Sequence, residues 1–153
     1  MPNHCHNRVT FYGDDTEDSR RYIAEIKQIF EDESTFGQII PEPDWANIPL
    51  MSKDIKGIVY DRGKLGELPV DGRFQSTDRQ DDRWYDWRLD NWDTKWDAYD
   101  VSVDDDDPDQ LEVSFNTAWS PPEAVCHAIR EQYPDLAVSW FFDEPGCEIA
   151  GYL

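Results

Sequence analysis

The chain has 153 residues, with 34 Asp and Glu against 14 Lys and Arg, so its formal net charge is −20 at pH 7. That charge excludes ordinary nucleic-acid binding, because contacts to a phosphate backbone need clustered Lys and Arg. Aromatic residues make up 14% of the chain, which argues against disorder, since disordered segments lack large apolar groups. The length predicts one domain that buries roughly two-thirds of its unfolded surface.

The cysteines and the apolar runs predict where the protein works. Cys5, Cys126 and Cys147 are odd in number and widely spaced, so we expect free thiols and a reducing cytoplasm. No apolar run approaches the ~20 residues of a membrane span, and the start of the chain lacks a signal-peptide core. We therefore expect a soluble, cytoplasmic protein with no membrane partner.

The first quarter of the chain predicts a strand, a helix and a short second strand. Residues 8–12 are β-prone and end at Gly13. A helix is expected over residues 17–31, with an apolar stripe on one face and acidic residues in its first turn. Residues 36–40 form a short strand candidate that Pro41 ends, since proline lacks the backbone donor that a ladder needs.

An insertion is predicted over residues of about 41–97, beginning with a long loop over 41–80. In that loop prolines, glycines and charges alternate, and only residues 58–60 suggest a strand or a short helix. Residues 81–91 predict a helix in the most aromatic stretch of the chain. Its two faces are expected to carry different residues, Trp84, Trp87, Arg88 and Asn91 on one, and Asp82, Asp86 and Asp90 on the other.

The second half of the chain predicts a hairpin, a helix and two final strands. The hairpin pairs residues 98–103 with residues 111–116 and carries the acidic run Asp104–Asp107 at its tip. The helix begins at a strong signal, with Ser120 as N-cap, Pro121 at the first helical position and Glu123 at the capping-box position. Residues 136–142 and 147–152 are the final strands.

The predicted element order is β-α-β, an insertion with its own helix, then β-β-α-β-β. Two helices of similar length are best buried on one face of an antiparallel sheet. We therefore predict an α+β fold, a single ferredoxin-like sandwich over residues 1–153, with an inserted Trp-rich helix and a long loop.

Motifs at both ends and in the centre of the chain carry a resemblance to a known family. They are Met1-Pro2-Asn3 with Cys5, Asn7 and Val9; Trp84-Tyr85-Asp86-Trp87-Arg88 through Asn91-Trp92 and Thr94-Lys95-Trp96-Asp97; Phe115, Thr117-Ala118-Trp119-Ser120-Pro121-Pro122 with Val125; and Tyr133-Pro134, Glu144, Gly146, Ala150 and Gly151. These residues resemble the YubB ferredoxin-like family, which is found on plasmids, phages and other mobile elements of bacteria. This chain departs from the family pattern at His4, where an aromatic is expected, and at Asp93, where glycine is usual. The resemblance implies a ferredoxin-like fold and a mobile-element origin, and no activity, cofactor or catalytic residue.

Two groups of residues were candidates for a metal site, and we predict no metal or other cofactor at either. His4 and His6 share one face of a strand while Cys5 points to the other, so the three do not easily converge on one ion, although Cys147 could join them from a neighbouring strand. The run from Asp104 to Asp109 lacks the mid-loop glycine and terminal glutamate of an EF-hand calcium loop. His127 and Cys126 diverge by about 100° on a helix and make no catalytic dyad.

The acidity of the chain has two interpretations, one without a specific partner and one in which the charge binds a partner. Solubility or adaptation to a salty cytoplasm would need no partner. The leading functional hypothesis is a DNA-mimicking inhibitor of a nucleic-acid-binding host defence complex, of the anti-CRISPR or anti-restriction class, that acts by binding its basic partner and not by catalysis. One helical row of carboxylates, one per ~6 Å, is too sparse to imitate DNA, so further rows are required. The predicted contacts are Asp82, Asp86, Asp90, Asp93, Asp97, Asp100, Asp104, Asp105, Asp106 and Asp107. The alternatives are a small-molecule or metal-dependent enzyme with a pocket between insertion and sheet, and a salt-adapted acidic domain without mimicry.

Overall fold

The computed structural model describes residues 3–45, 58–61, 64–67, 75–80 and 83–153. The chain divides into two compact units, one made of Met1–Pro41 with Arg88–Leu153 and the other of Glu42–Trp87. Within the described ranges, no helix has both the length and the apolar character needed to cross a membrane. In chain order the elements are β1 (His4–Tyr12), α1 (Glu17–Glu31), α2 (Phe36–Ile39), β2 (Ile58–Asp61), β3 (Lys64–Glu67), β4 (Gln75–Gln80), α3 (Arg83–Trp92), β5 (Tyr99–Asp107), β6 (Gln110–Ala118), α4 (Glu123–Gln132), β7 (Ala137–Glu144) and β8 (Ile149–Tyr152).

The larger unit is built on a five-stranded antiparallel sheet with the order β5-β6-β1-β7-β8. Residues of β1 alternate strictly between buried and exposed, because successive side chains of a strand point to opposite faces. Cys5, Val9 and Phe11 are fully buried. This arrangement of an antiparallel sheet with helices confirms the predicted ferredoxin-like α+β fold.

The helices α1 and α4 cover the buried face of the sheet. Helix α1 begins where predicted, because the Thr16 side chain accepts a hydrogen bond from the Ser19 amide at 3.1 Å. Its Phe30 ring packs 6.2 Å from the Phe11 ring and 5.5 Å from the Phe115 ring, centroid to centroid. The two helices lie side by side, since the Tyr22 and Tyr133 rings meet at 5.7 Å. On the opposite face, which we call the open face, the β1 residues His4, His6, Arg8 and Tyr12 are exposed.

The strand predicted over residues 36–40 is wrong: Phe36–Ile39 is the short helix α2. Its buried residues Phe36 and Ile39 are three apart, the spacing of one helical face. The Phe36 ring packs against the Trp92 indole at 5.7 Å. The carboxylate of Asp97 accepts from the amides at the start of this helix, so a residue 61 positions away determines the local conformation.

The long loop predicted over residues 41–80 is also wrong in part. The strand suggested at residues 58–60 is confirmed as Ile58–Asp61, and Lys64–Glu67 and Gln75–Gln80 pair with it in an antiparallel sheet of order β2-β3-β4. The rest of the predicted loop beyond Trp45 lies outside the described residues. The missed strands are charged and lack apolar alternation, which is the pattern by which strands are found.

Two details of the second half differ from the prediction. Helix α4 begins at Glu123 with Pro122 as its N-cap residue, and the Ser120 hydroxyl donates instead to the Asp93 carbonyl oxygen at 2.5 Å. The acidic run is not the tip of the hairpin: β5 extends through Asp107, and the turn consists of Pro108 and Asp109.

Candidate acidic interface

The acidic run Asp104–Asp107 forms the end of β5 next to the hairpin turn. Strand β5 is an edge strand of the five-stranded sheet. All four side chains are exposed. Strand β5 pairs with β6 on one side only, and Asp104 lies directly opposite Glu112. Asp residues are depleted in strands, so this segment is held extended by the pairing of Asp104 with Glu112 and of Asp107 with Gln110, with an irregularity between the two pairs.

A concave surface lies at this end of the hairpin. We call it the hairpin depression; it has a volume of about 170 Å³ and is lined by Asp104, Asp106, Asp107, Gln110 and Glu112. Of these carboxylates, Glu112 makes an ion pair with Arg8, at 3.8 Å between Oε1 and Nε, and the others make none within the described part of the chain. The depression is therefore a strongly negative surface with little internal compensation.

Two cations lie near the run but face other carboxylates. The Lys27 ammonium pairs with Asp105 at 2.5 Å, which lowers the pKa of that carboxyl below its usual 3.8 and raises the pKa of Lys27 above its usual 10.5. Arg20 pairs with Asp109 at 3.0 Å. Asp105 is thus partly neutralised, whereas Asp104, Asp106 and Asp107 of the hairpin depression make no ion pair with a described residue.

The other end of β5 has a second acidic concavity of about 500 Å³. Its carboxylates come from the end of α1 and from β5, and are Glu31, Asp32, Glu33 and Asp100. Asp100 has a left-handed φ of 52°, at an irregularity in the pairing of β5 with β6. Its carboxylate accepts a hydrogen bond from the Asn116 side-chain amide at 3.3 Å. Acidic side chains therefore lie at both ends of β5.

Asp97 is turned inward and is half-buried. One of its oxygens accepts from the amides of Phe36 at 2.8 Å and Thr35 at 3.2 Å, and the other accepts from the Ser34 hydroxyl at 3.0 Å. It also accepts from the amide of Ala98. These bonds satisfy donors at the start of α2 that have no partner within the helix.

Asp93 is also a structural acceptor. It is half-buried, and its Oδ2 accepts from the amide of Ala124 at 2.9 Å, in the first turn of α4. Asp93 therefore occupies the capping role that the sequence suggested for Ser120. Its φ is 64°, a left-handed conformation that glycine adopts without penalty and that Asp tolerates better than most residues. This conformation explains why a related pattern would carry glycine at this position.

The remaining predicted contacts belong to α3. Asp86 and Asp90 are exposed, and Asp82 lies outside the described residues. The tryptophans of this stretch are mainly structural: Trp92 is 1% exposed and donates from its indole nitrogen to the Ile40 carbonyl oxygen at 3.0 Å. Trp84 and Trp87 are half-buried.

The metal candidates are engaged within the protein. His4 bonds the Tyr99 hydroxyl, and the Nδ1 of His6 lies 2.6 Å from the Oδ1 of Asn116. Cys5 lies on the opposite, buried face, where burial raises the pKa of its thiol to about 11. Among the described residues, no group of three His, Cys, Asp or Glu side chains is arranged to hold a metal ion.

Sequence reasoning missed one buried acid. Glu144 is 2% exposed, and its Oε2 accepts from the backbone amide of Cys147. Its Oε1 has no hydrogen-bond partner among the described atoms. A side-chain hydrogen bond with this carboxylate raises the pKa of the exposed Cys147 thiol. Cys147 is therefore a weak nucleophile despite its exposure.

Comparison with known proteins supports the fold. Residues 91–153 match the family model described as the ferredoxin-like domain in Api92-like protein. This part of the chain is similar to Api92-like proteins. The crystal structure of protein api92 from Yersinia pseudotuberculosis aligns with 99% of this chain and 93% of that chain, at a TM-score of 0.52 and 11% sequence identity. At that identity the likeness shows the fold alone. A search of curated proteins finds no match.

Proposed function

We propose that this protein is an acidic inhibitor that binds the nucleic-acid groove of a host defence complex, of the anti-CRISPR or anti-restriction class. The observation that carries the proposal is the exposed acidic run in β5, with the hairpin depression beside it. Asp93 and Asp97 support the fold in this proposal and do not contact the partner. Asp86, Asp90 and Asp100 stay as further contacts, as does Asp82.

The spacing of the charges requires more than one row of carboxylates. A β-strand advances ~3.4 Å per residue and its successive side chains point to opposite faces, so aspartates that share a face recur every ~6.8 Å. That row is as sparse as one on a helix, at ~6 Å, whereas one strand of duplex DNA carries one phosphate per ~3.4 Å of helix axis. Asp107 and Glu112, which line the hairpin depression together with Asp104 and Asp106, supply the additional carboxylates in this proposal.

The energetic cost of this surface also favours a cationic partner. Asp104 lies opposite Glu112 across the hairpin, and like charges in that position destabilise a sheet. Self-repulsion of this kind is relieved by a basic groove and is screened by salt. Binding should therefore be strong at low ionic strength and weaken steeply as salt is added.

The choice of target rests on the resemblance to the YubB family. That family is found on mobile elements, and a mobile element entering a cell meets DNA-binding defence proteins. The free thiols of Cys5, Cys126 and Cys147 agree with action in a reducing cytoplasm.

The test begins with affinity capture from a host lysate and identification of the partner by mass spectrometry. The purified partner is then titrated with labelled DNA in competition with this protein. Replacing Asp104, Asp106 and Asp107 with Asn should weaken the competition by at least about tenfold, because three charge contacts are lost. The matched control replaces three exposed acids elsewhere, Glu131→Gln, Asp135→Asn and Glu148→Gln, with the same change in net charge. Equal loss in both triple variants would show that net charge acts without a specific surface, and the proposal would be wrong.

A further inference from the structure

The open face of the main sheet carries a cavity that the acidic run does not explain. It has a volume of about 360 Å³, the size of a small-ligand site. Two rows of the sheet form its floor, one with Asn116, His6 and Asp143 side by side, the other with Ser114, Arg8 and Phe141. Asp100 completes the lining.

A chain of hydrogen bonds determines which nitrogen of His6 carries the proton. The Asn116 amide nitrogen donates to Asp100 Oδ2 at 3.3 Å, because an ionised carboxylate can only accept. The Asn116 Oδ1 therefore faces His6, 2.6 Å from its Nδ1. Since an amide oxygen also only accepts, Nδ1 must hold the hydrogen. When the ring carries this one hydrogen, its Nε2 is a hydrogen-bond acceptor.

Acceptors outnumber donors in this cavity. The acceptors are the carboxylates of Asp100 and Asp143 and the Nε2 of His6, whereas Arg8 is the charged donor. Arg8 is already paired with Glu112, so its charge is partly neutralised by a carboxylate outside the cavity. The lining therefore favours a ligand that is cationic and carries several N–H groups.

One wall of the cavity is aromatic. The Phe141 ring lines it and is held by an edge contact with the Tyr152 ring, 5.3 Å between centroids. A flat cation stacks well on such a ring, and a guanidinium has the planar fork of donors that binds a carboxylate through two bonds. An ammonium offers neither the plane nor the fork.

We infer that this cavity binds a guanidinium group, and that in the complex the group is an arginine side chain of the basic partner. The second half of this inference rests on the proposed function, which supplies the basic partner. The position fits that role, because Glu112 lines the hairpin depression and lies 3.8 Å from Arg8 of the cavity. An arginine held here would anchor the partner beside the acidic run.

The first test uses the free protein and two small probes, N-acetyl-arginine amide and N-acetyl-lysine amide. Each is titrated while the ring signals of His6 and the side-chain amide signals of Asn116 are followed by NMR. The arginine probe should shift both sets of signals and bind at least about fivefold more tightly than the lysine probe. Equal binding of the two probes, or no shift at His6, would overturn the inference without any variant being made.

Two variants locate the site. Asp143→Asn should weaken the arginine probe by about tenfold, because it removes the carboxylate opposite His6. The control Asp135→Asn makes the same charge change in an exposed turn and should leave binding unchanged. Phe141→Leu keeps an apolar side chain, loses the aromatic face and should remove most of the preference for arginine over lysine.

The outcomes separate this inference from the proposed function. If the protein binds the arginine probe but no partner is found whose DNA binding it competes with, the guanidinium site is retained and the inhibitor function is rejected. Competition with DNA that Asp143→Asn leaves unchanged would retain the inhibitor and reject arginine capture by the partner.

Discussion

The aspartates of residues 93–97 and those of residues 104–107 are alike in sequence and opposite in use. Asp93 and Asp97 are half-buried and accept hydrogen bonds from the backbone at the starts of α4 and α2. Asp104, Asp106 and Asp107 are exposed and share one concave surface, and Asp104 and Asp107 accept only local backbone bonds, from the amides of Asp106 at 3.4 Å and Asp109 at 2.9 Å. The difference shows that the acidity of this chain has two separable components, one that maintains the fold and one that is free to meet a partner.

The largest expected effect is on Asp97. Replacing it with Ala removes an acceptor for the amides of Thr35 and Phe36 and the hydroxyl of Ser34, and should lower the free energy of unfolding by about 2 kcal/mol. Asp106→Ala is the outward control, since it makes the same truncation at an exposed site. Urea unfolding monitored by circular dichroism measures both. A loss at Asp97 no larger than at Asp106 would remove the distinction between the two groups.

A smaller effect is expected at Asp93, where conformation and capping can be separated. Asp93→Ala should cost about 1 kcal/mol, because it loses the bond to the Ala124 amide and keeps the left-handed φ of 64°. Asp93→Gly loses the same bond but removes the conformational penalty, so it should cost less. Thermal or urea unfolding gives the order. If Gly is the more damaging of the two, the left-handed φ of Asp93 carries no conformational penalty that glycine relieves.

Local sequence signals predicted elements whose own residues determine them. Helix α1 was predicted with its observed ends, because its cap, its apolar stripe and its acidic first turn lie within residues 16–31. Helix α2 was missed because its cap is the side chain of Asp97, far along the chain. The extension of β5 through four aspartates was missed for a similar reason, since the partner strand β6 imposes it.

The candidate sites follow the same division. The acidic run is visible in the sequence, and its exposure could be expected from its composition. The cavity on the open face was not predicted, although the alternation that exposes His6 is readable. Its hydrogen bonds join His6 to Asn116 and Asn116 to Asp100, partners that only the register of β1, β6 and β5 brings together.

Neutralising the exposed aspartates that line the hairpin depression should stabilise the protein. Replacing Asp104, Asp106 and Asp107 with Asn reduces repulsion with Glu112 and should raise the free energy of unfolding by about 0.5 kcal/mol at low salt. The gain should fade near 1 M salt, where the screening length is ~3 Å against ~30 Å at 0.01 M. Urea midpoints at the two salt concentrations test it. Destabilisation at low salt would mean that the bonds from the amides of Asp106 and Asp109 to Asp104 and Asp107 outweigh the repulsion with Glu112.

The smallest expected effect concerns Asp105, the member of the run that pairs with Lys27. Lys27 lowers the pKa of Asp105 below 3.8, so the folded state binds its proton less tightly than the unfolded chain, and the pair stabilises the fold above that pH. This contribution is lost as the pH falls through the folded pKa. Asp105 in turn raises the pKa of Lys27 above 10.5, so the contribution is also lost in strong alkali. Because Asp105 is exposed and Lys27 is half-buried, the stability difference between wild type and Asp105→Asn should be small at pH 7 and absent near pH 2. A difference that persists in acid would assign Asp105 a structural role other than its ion pair. Asp105 would then belong with Asp93 and Asp97, the aspartates that maintain the fold.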